Sequence, residues 1–135
     1  MKEVELSFAK LSYENSLLIN DIFLDTNIDL EKARVFVDNI NETVQKDVFV
    51  SITKAHPNTK FTREARDYLA CKPNNIYAAA IVTLNMTHKI IGNFFMKINK
   101  PQYPIRFFDT FESAVTWAHT MKKEAEIGEY TNQST

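Results

Sequence analysis

The chain has 135 residues, 44% hydrophobic and 24% charged, with a formal net charge of -1, which is the size and composition of one globular domain with a real core. Lysine and arginine are interspersed with aspartate and glutamate, no apolar run is long enough to span a bilayer, and residues 1–8 lack a signal-peptide core. Nucleic-acid binding and membrane insertion are therefore disfavoured, and a cytoplasmic location is expected, in keeping with Cys71 as the single cysteine.

Val4, Leu6 and Phe8 alternate with polar residues, which predicts a strand continuing through Leu11 and Tyr13. Glu14-Asn15-Ser16 is a turn signal, and Leu17 to Leu24 reads as the second strand of a hairpin. Asp29 is a candidate N-cap for a helix in which Leu30, Ala33, Val37, Ile40 and Val44 form an apolar stripe widened by Phe36. Glu42 and Lys46 are spaced to add an i,i+4 pair worth ~0.2–0.5 kcal/mol. Asp47 to Thr53 is rich in β-branched residues and predicts a strand, followed by a polar loop from Lys54 to Phe61.

Thr62 reads as the N-cap of a helix through Lys72, stopped by Pro73-Asn74-Asn75. From Ile76 to Leu84 the chain is almost continuously apolar without alternation, as in a strand covered on both faces. Ile90, Ile91, Phe94, Phe95 and Ile98 then recur at helical spacing, interrupted by Gly92, which predicts close approach to a neighbouring element. Asn99-Lys100-Pro101 ends this helix. Pro104 to Phe108 is a short strand, and Asp109 with Glu112 resembles a capping box opening a last helix. Its expected buried stripe is Phe111, Ala114, Val115, Ala118 and Met121, with Trp117 at the margin. The order ββαβαβαβα makes an α/β domain over residues 1–126, with a mixed sheet, helices packed on it and a disordered tail over 127–135.

The segments Phe61–Ala70 and Ala79–Ala118 carry a resemblance, most specifically in Ile91-Gly92-Asn93-Phe94-Phe95, in Asn99-Lys100-Pro101, and in Phe108 followed by Glu112, Ala114 and Trp117. They resemble the STAS-like (SpoIIAA-like) bacterial family of small, largely uncharacterised proteins. That family shares its fold with anti-sigma-factor antagonists and, more distantly, with CRAL-TRIO domains. The resemblance covers roughly residues 61–118; the first fifty residues agree in element order and only weakly in sequence. It implies a mixed sheet with packed helices, and binding or signalling rather than catalysis. In phosphorylated antagonists a serine opens the helix after the third strand. Here the corresponding stretch is Ile52-Thr53-Lys54-Ala55-His56, and the nearest hydroxyls are Thr59 and Thr62. A phosphate at a helix N-terminus would be favoured there, although a plain N-cap accounts for Thr62 as well.

No metal or cofactor is expected: His56, His88, His119 and Cys71 are widely separated, and glycines occur only at Gly92 and Gly128, which excludes phosphate-binding glycine loops. No residue spacing nominates a nucleophile with its base, so an enzyme is not expected. Arg63, Arg66, Lys97 and Lys100 are candidates for contact with an anion, or are solvated helix faces. The helix over 86–98 holds more apolar residues than one stripe can bury. Either it is covered all round, or Phe94, Phe95, Met96 and Trp117 serve an interface or a ligand groove. The expected function is a non-enzymatic interaction module, with a protein partner or a homodimeric copy. The alternative is a carrier of a small or lipid-like ligand in a groove beside helix 86–98.

Overall fold

The computed structural model describes residues 1–72, 75–99 and 101–134, with the side chains of 93–96, 98–99 and 127–134 left aside. The chain runs β1 (Lys2–Glu5), β2 (Ala9–Glu14), β3 (Leu17–Ile22), β4 (Asn27–Ile28), α1 (Leu30–Val44), β5 (Phe49–Lys54), β6 (Lys60–Phe61), α2 (Arg63–Cys71), β7 (Ile76–Val82), α3 (Met86–Asn99), β8 (Ile105–Phe108) and α4 (Phe111–Ser134). Six strands form a mixed sheet in the order β1-β2-β3-β5-β7-β8, and β4 pairs with β6 separately. β1, β2 and β3 are antiparallel neighbours, whereas β3, β5, β7 and β8 all run parallel. The mixed α/β architecture expected from the sequence is the one observed.

Alternation along the strands divides the core in two. Leu11, Leu18, Ile22 and Phe49 pack on the first face with Ala33, Phe36, Ile40 and Val44 of α1 and Ala65 of α2. Val50, Ile52, Ala78 and Ala80 pack on the second face with Ala114 and Ala118 of α4. Alanine meeting alanine lets α4 approach the strands closely, and Phe108 and Trp117 close the end of that layer with ring centroids 5.6 Å apart. α3 lies on the first face. Gly92 faces the ring of Phe107, which alternates with the second-face residue Phe108. The close approach predicted at Gly92 is thus an approach to the last strand.

Several expectations are corrected. The first strand is two strands, reversed between Leu6 and Ala9, where the Leu6 N–H donates to the Ala9 carbonyl at 2.7 Å. The apolar positions pass from even (Val4, Leu6, Phe8) to odd (Ala9, Leu11, Tyr13) at the reversal, and that slip of phase is its trace in the sequence, since no Gly, Pro or Asn marks it. The next turn is where it was expected, with Asn15 and Ser16 at φ of 51° and 62°, the backbone of a tight hairpin. Gln45 at φ 54° ends α1, so Lys46 lies beyond the helix and the i,i+4 pair with Glu42 has no helical turn to sit on. The last helix is capped by Thr110, whose hydroxyl accepts the Ser113 N–H at 3.1 Å, while Asp109 pairs with Lys89 instead of capping. Phe111, expected inside, is exposed. The helical backbone of α4 runs as far as Ser134. Asp29 and Thr62 do cap α1 and α2, accepting the N–H of Lys32 and Ala65 respectively.

Candidate functional site

Because β3, β5, β7 and β8 are parallel, their C-terminal ends share one edge of the sheet, and α2, α3 and α4 start from it. In open α/β sheets this edge is where crevices form. The loop after β5 folds across it and is tied at several points. On one side Lys60 and Thr62 donate their N–H groups to the carbonyls of Thr26 and Ile28, both at 3.0 Å, and Asn58 donates to Asp25 at 2.9 Å. His56 lies 3.6 Å from the Asp21 carboxylate. On the other side Asn85 Nδ2 donates to the Pro57 carbonyl at 2.6 Å, and His88 Nε2 bonds the Thr59 carbonyl.

The carbonyl of Thr59 can only accept, so His88 carries its proton on Nε2. Its Nδ1, 2.9 Å from Thr83 Oγ1, then accepts from that hydroxyl in the neutral ring. Thr83 Oγ1 in turn accepts the Asn85 N–H at 3.1 Å, and Asn85 Oδ1 caps α3 by accepting the N–H of Thr87 at 2.9 Å. Thr83, His88 and Thr59 thus join the end of β7, the first turn of α3 and the β5–α2 loop. This linkage fixes the rotation of α3 about its axis. His88 and Gly92, one turn apart, are directed inward, and the residues on the opposite side of the helix face outward.

The outward residues are apolar. Leu84 is 74% exposed, Met86 64%, Ile90 62% and Ile91 41%. Met86 and Ile90 are four apart and therefore neighbours on one helix face, and Leu84 precedes them in the connection from β7. The arrangement is a small aliphatic surface on a helix whose position is locked from beneath. Among the described residues no three His, Cys, Asp or Glu gather as metal ligands, and no helix is long and apolar enough to cross a membrane.

The other sequence candidates are dispersed. Trp117 packs on Phe108 on the second face of the sheet, with the sheet between it and α3, so it does not share a groove with that helix. The side chains of Phe94, Phe95 and Met96 lie outside the described residues, as does Lys100. Arg63 is exposed in the first turn of α2, and Arg66 donates through Nη1 to the Phe61 carbonyl at 2.7 Å. Lys97 is exposed near the far end of α3, ~16 Å along the axis from Met86. The arginines and Lys97 therefore sit toward opposite edges of the sheet. Thr59 is fully buried, and the Thr62 hydroxyl is occupied as a cap.

A shallow groove of about 280 Å³ lies elsewhere, between the hairpin and α4, and is lined by Ser12, Tyr13, Leu17, Ile19, His119 and Lys122 among others. Burial, and then the hydrogen bond to Asp47, push the Tyr13 phenol up to about 12. Burial also raises Tyr103, whose hydroxyl donates to the Leu69 carbonyl at 2.6 Å. Sequence reasoning named Phe94, Phe95, Met96 and Trp117 for the apolar surplus of helix 86–98; the exposed apolar side chains among the described residues are Leu84, Met86, Ile90 and Ile91. The signal that locates it is the pair His88 and Gly92, which defines the inner face and leaves Met86 and Ile90 outside.

This architecture is a SpoIIAA-like fold. The chain belongs to the family described as a domain of unknown function (DUF7793), whose family model matches residues 11–122. Among solved structures it is similar to an uncharacterised protein of the DUF3478 family with a SpoIIAA-like fold from Shewanella loihica PV-4. That likeness has a TM-score of 0.59 at 11% identity and covers 87% of this chain and 99% of the other. No curated protein matches.

Proposed function

We propose that this chain is a non-enzymatic STAS-like regulatory module that binds a protein partner through the outer face of α3. The observation that carries the reading is the exposure of Met86, Ile90 and Ile91, with Leu84 just before them, on a helix whose inner face is fixed by His88 and Gly92. Exposed aliphatic side chains gathered on one rigid element mark a contact surface more readily than scattered ones do. Met86 and Ile90 are each about two-thirds exposed. Covering them would contribute roughly 1–2 kcal/mol apiece. Losing both contacts should weaken binding by about 2–4 kcal/mol, or roughly 30- to 1,000-fold.

Native mass spectrometry of the protein purified gently from cells that express it tests this reading. A stoichiometric protein complex that dissociates in the Met86→Lys/Ile90→Glu variant supports it, provided that variant keeps the wild-type unfolding midpoint. A reproducible adduct of lipid size on a monomer would instead favour the carrier.

A further inference from the structure

The two edges of the sheet differ in character. β1 presents Lys2, Glu3 and Glu5, all exposed, and charged side chains of this kind keep an edge strand from pairing. β8 carries one charge, Arg106, among Ile105, Phe107 and Phe108, whose side chains are half-buried. Its backbone orientation follows from the ladder with β7. Ala79 donates its N–H to the Pro104 carbonyl at 2.9 Å and Thr83 donates to the Phe108 carbonyl at 3.0 Å. The even-numbered residues of β8 therefore face β7. By the alternation of a parallel ladder, the N–H and C=O of Ile105 and Phe107 point to the open side. Among the described residues no strand pairs with that side.

We infer that β8 is a self-association edge, pairing antiparallel with β8 of a second copy of this chain about a two-fold axis at Phe107. A residue that directs both backbone groups outward can exchange two hydrogen bonds with its own copy, and Phe107 is such a residue. Residues opposite one another in an antiparallel pair share a sheet face, so the axis near the strand centre falls on Arg106 or on Phe107. An axis on Arg106 sets two arginines directly opposite, with Cα atoms about 4.5 Å apart, and like charges so placed are destabilising. An axis on Phe107 sets Arg106 opposite Phe108 of the copy. Arg106 already lies 5.2 Å from the centroid of its own Phe108 ring, so this register extends a cation–π contact that the monomer makes.

A four-residue strand supplies less than the ~800 Å² per partner of a standard interface. The remainder comes from α3 and α4, which flank β8 on its two faces and meet their own copies across the same axis. This surface is separate from the outer face of α3, so its test stands apart from that of the partner-binding reading.

Two measurements decide it. Sedimentation equilibrium of the wild-type chain at high micromolar concentration should give twice the 15.6 kDa chain mass, with the amides of Ile105 and Phe107 gaining exchange protection as concentration rises. In a Cys71→Ser background, mild oxidation should cross-link Phe107→Cys, since hydrogen-bonded pairs place Cα atoms within disulfide range. Arg106→Cys should not cross-link, because its copy is displaced diagonally by about 7–8 Å. A wild-type monomer with unprotected β8 amides overturns the inference, whether or not the cysteine variants fold. A dimer in which Arg106→Cys cross-links instead overturns the register. An unrelated extended peptide that protects the same amides while the chain stays monomeric would make β8 a docking edge for another protein and refute self-pairing.

Discussion

Replacing Gly92 with alanine sets two effects of known sign against each other. In a helix interior alanine is favoured over glycine by about 1 kcal/mol. Against this, a Cβ at position 92 would lie 2.7 Å from Cε2 and 3.2 Å from Cε1 of Phe107, and closer still to Cζ. The ring is half-buried on the last strand, so it or the helix must shift, and overpacking of this kind costs about 1–3 kcal/mol. The clash should win, leaving a net loss of up to about 2 kcal/mol and a melting temperature lower by up to roughly 8 °C. Urea unfolding followed by circular dichroism would read it in Gly92→Ala, Phe107→Leu and the double variant. Because the two residues touch, their effects should couple by at least 0.5 kcal/mol, with Phe107→Leu relieving the alanine. A Gly92→Ala protein about 1 kcal/mol more stable than wild type, and additive with Phe107→Leu, would refute the placement of α3 on β8.

Three further outcomes follow from the same geometry. The Tyr13 phenol is raised from 10.0 to about 12 by burial and by its bond to Asp47. Below pH 10 both native and unfolded chains hold the proton. Between pH 10 and 12 the unfolded chain releases it first, so the stability from Tyr13 is lost as pH rises through that window. Denaturation midpoints should be insensitive to this group up to about pH 10, and Asp47→Asn should move the onset of its absorbance titration downward. Asp29→Ala and Thr62→Ala should each cost about 1 kcal/mol in unfolding experiments, because each leaves an N-terminal N–H of a helix unpaired. His88→Ala should cost about 1–3 kcal/mol by stranding the nearly buried Thr83 hydroxyl and the Thr59 carbonyl. Its more specific signature is faster hydrogen exchange over residues 56–60, and unchanged exchange there would contradict the linkage of loop and helix.

How far the sequence disclosed the fold depends on what each signal measures. Continuous apolar character over 76–84 reports burial on both faces, and β7 does lie inside the sheet between β5 and β8, but the strand stops at Val82 and Leu84 is exposed. The glycine at position 92 reported a close approach, and Phe107 is the neighbour. The reversal at Leu6–Ala9 was legible only as a slip in the alternation, from Val4, Leu6 and Phe8 to Ala9, Leu11 and Tyr13, and without a Gly, Pro or Asn beside it the two strands were read as one. The short β4–β6 pair escaped because two-residue strands have no period. Asp109 was misread because a carboxylate near a helix start can cap or pair, and only the fold brings Lys89 to it. For the candidate site, periodicity counted the apolar residues of α3 but could not say which side of the helix faces in. That depends on His88 reaching Thr59, 29 residues away in sequence.

The most direct test of the central claim is a photo-cross-link from the outer face of α3. A benzophenone amino acid at position 90, introduced in cells that express the protein, should yield one discrete protein adduct. The adduct should vanish with Met86→Lys, and no counterpart should form from position 42 on the exposed face of α1. Equal, diffuse labelling from both positions, or no protein adduct from position 90, would contradict the assignment of this surface to a protein partner.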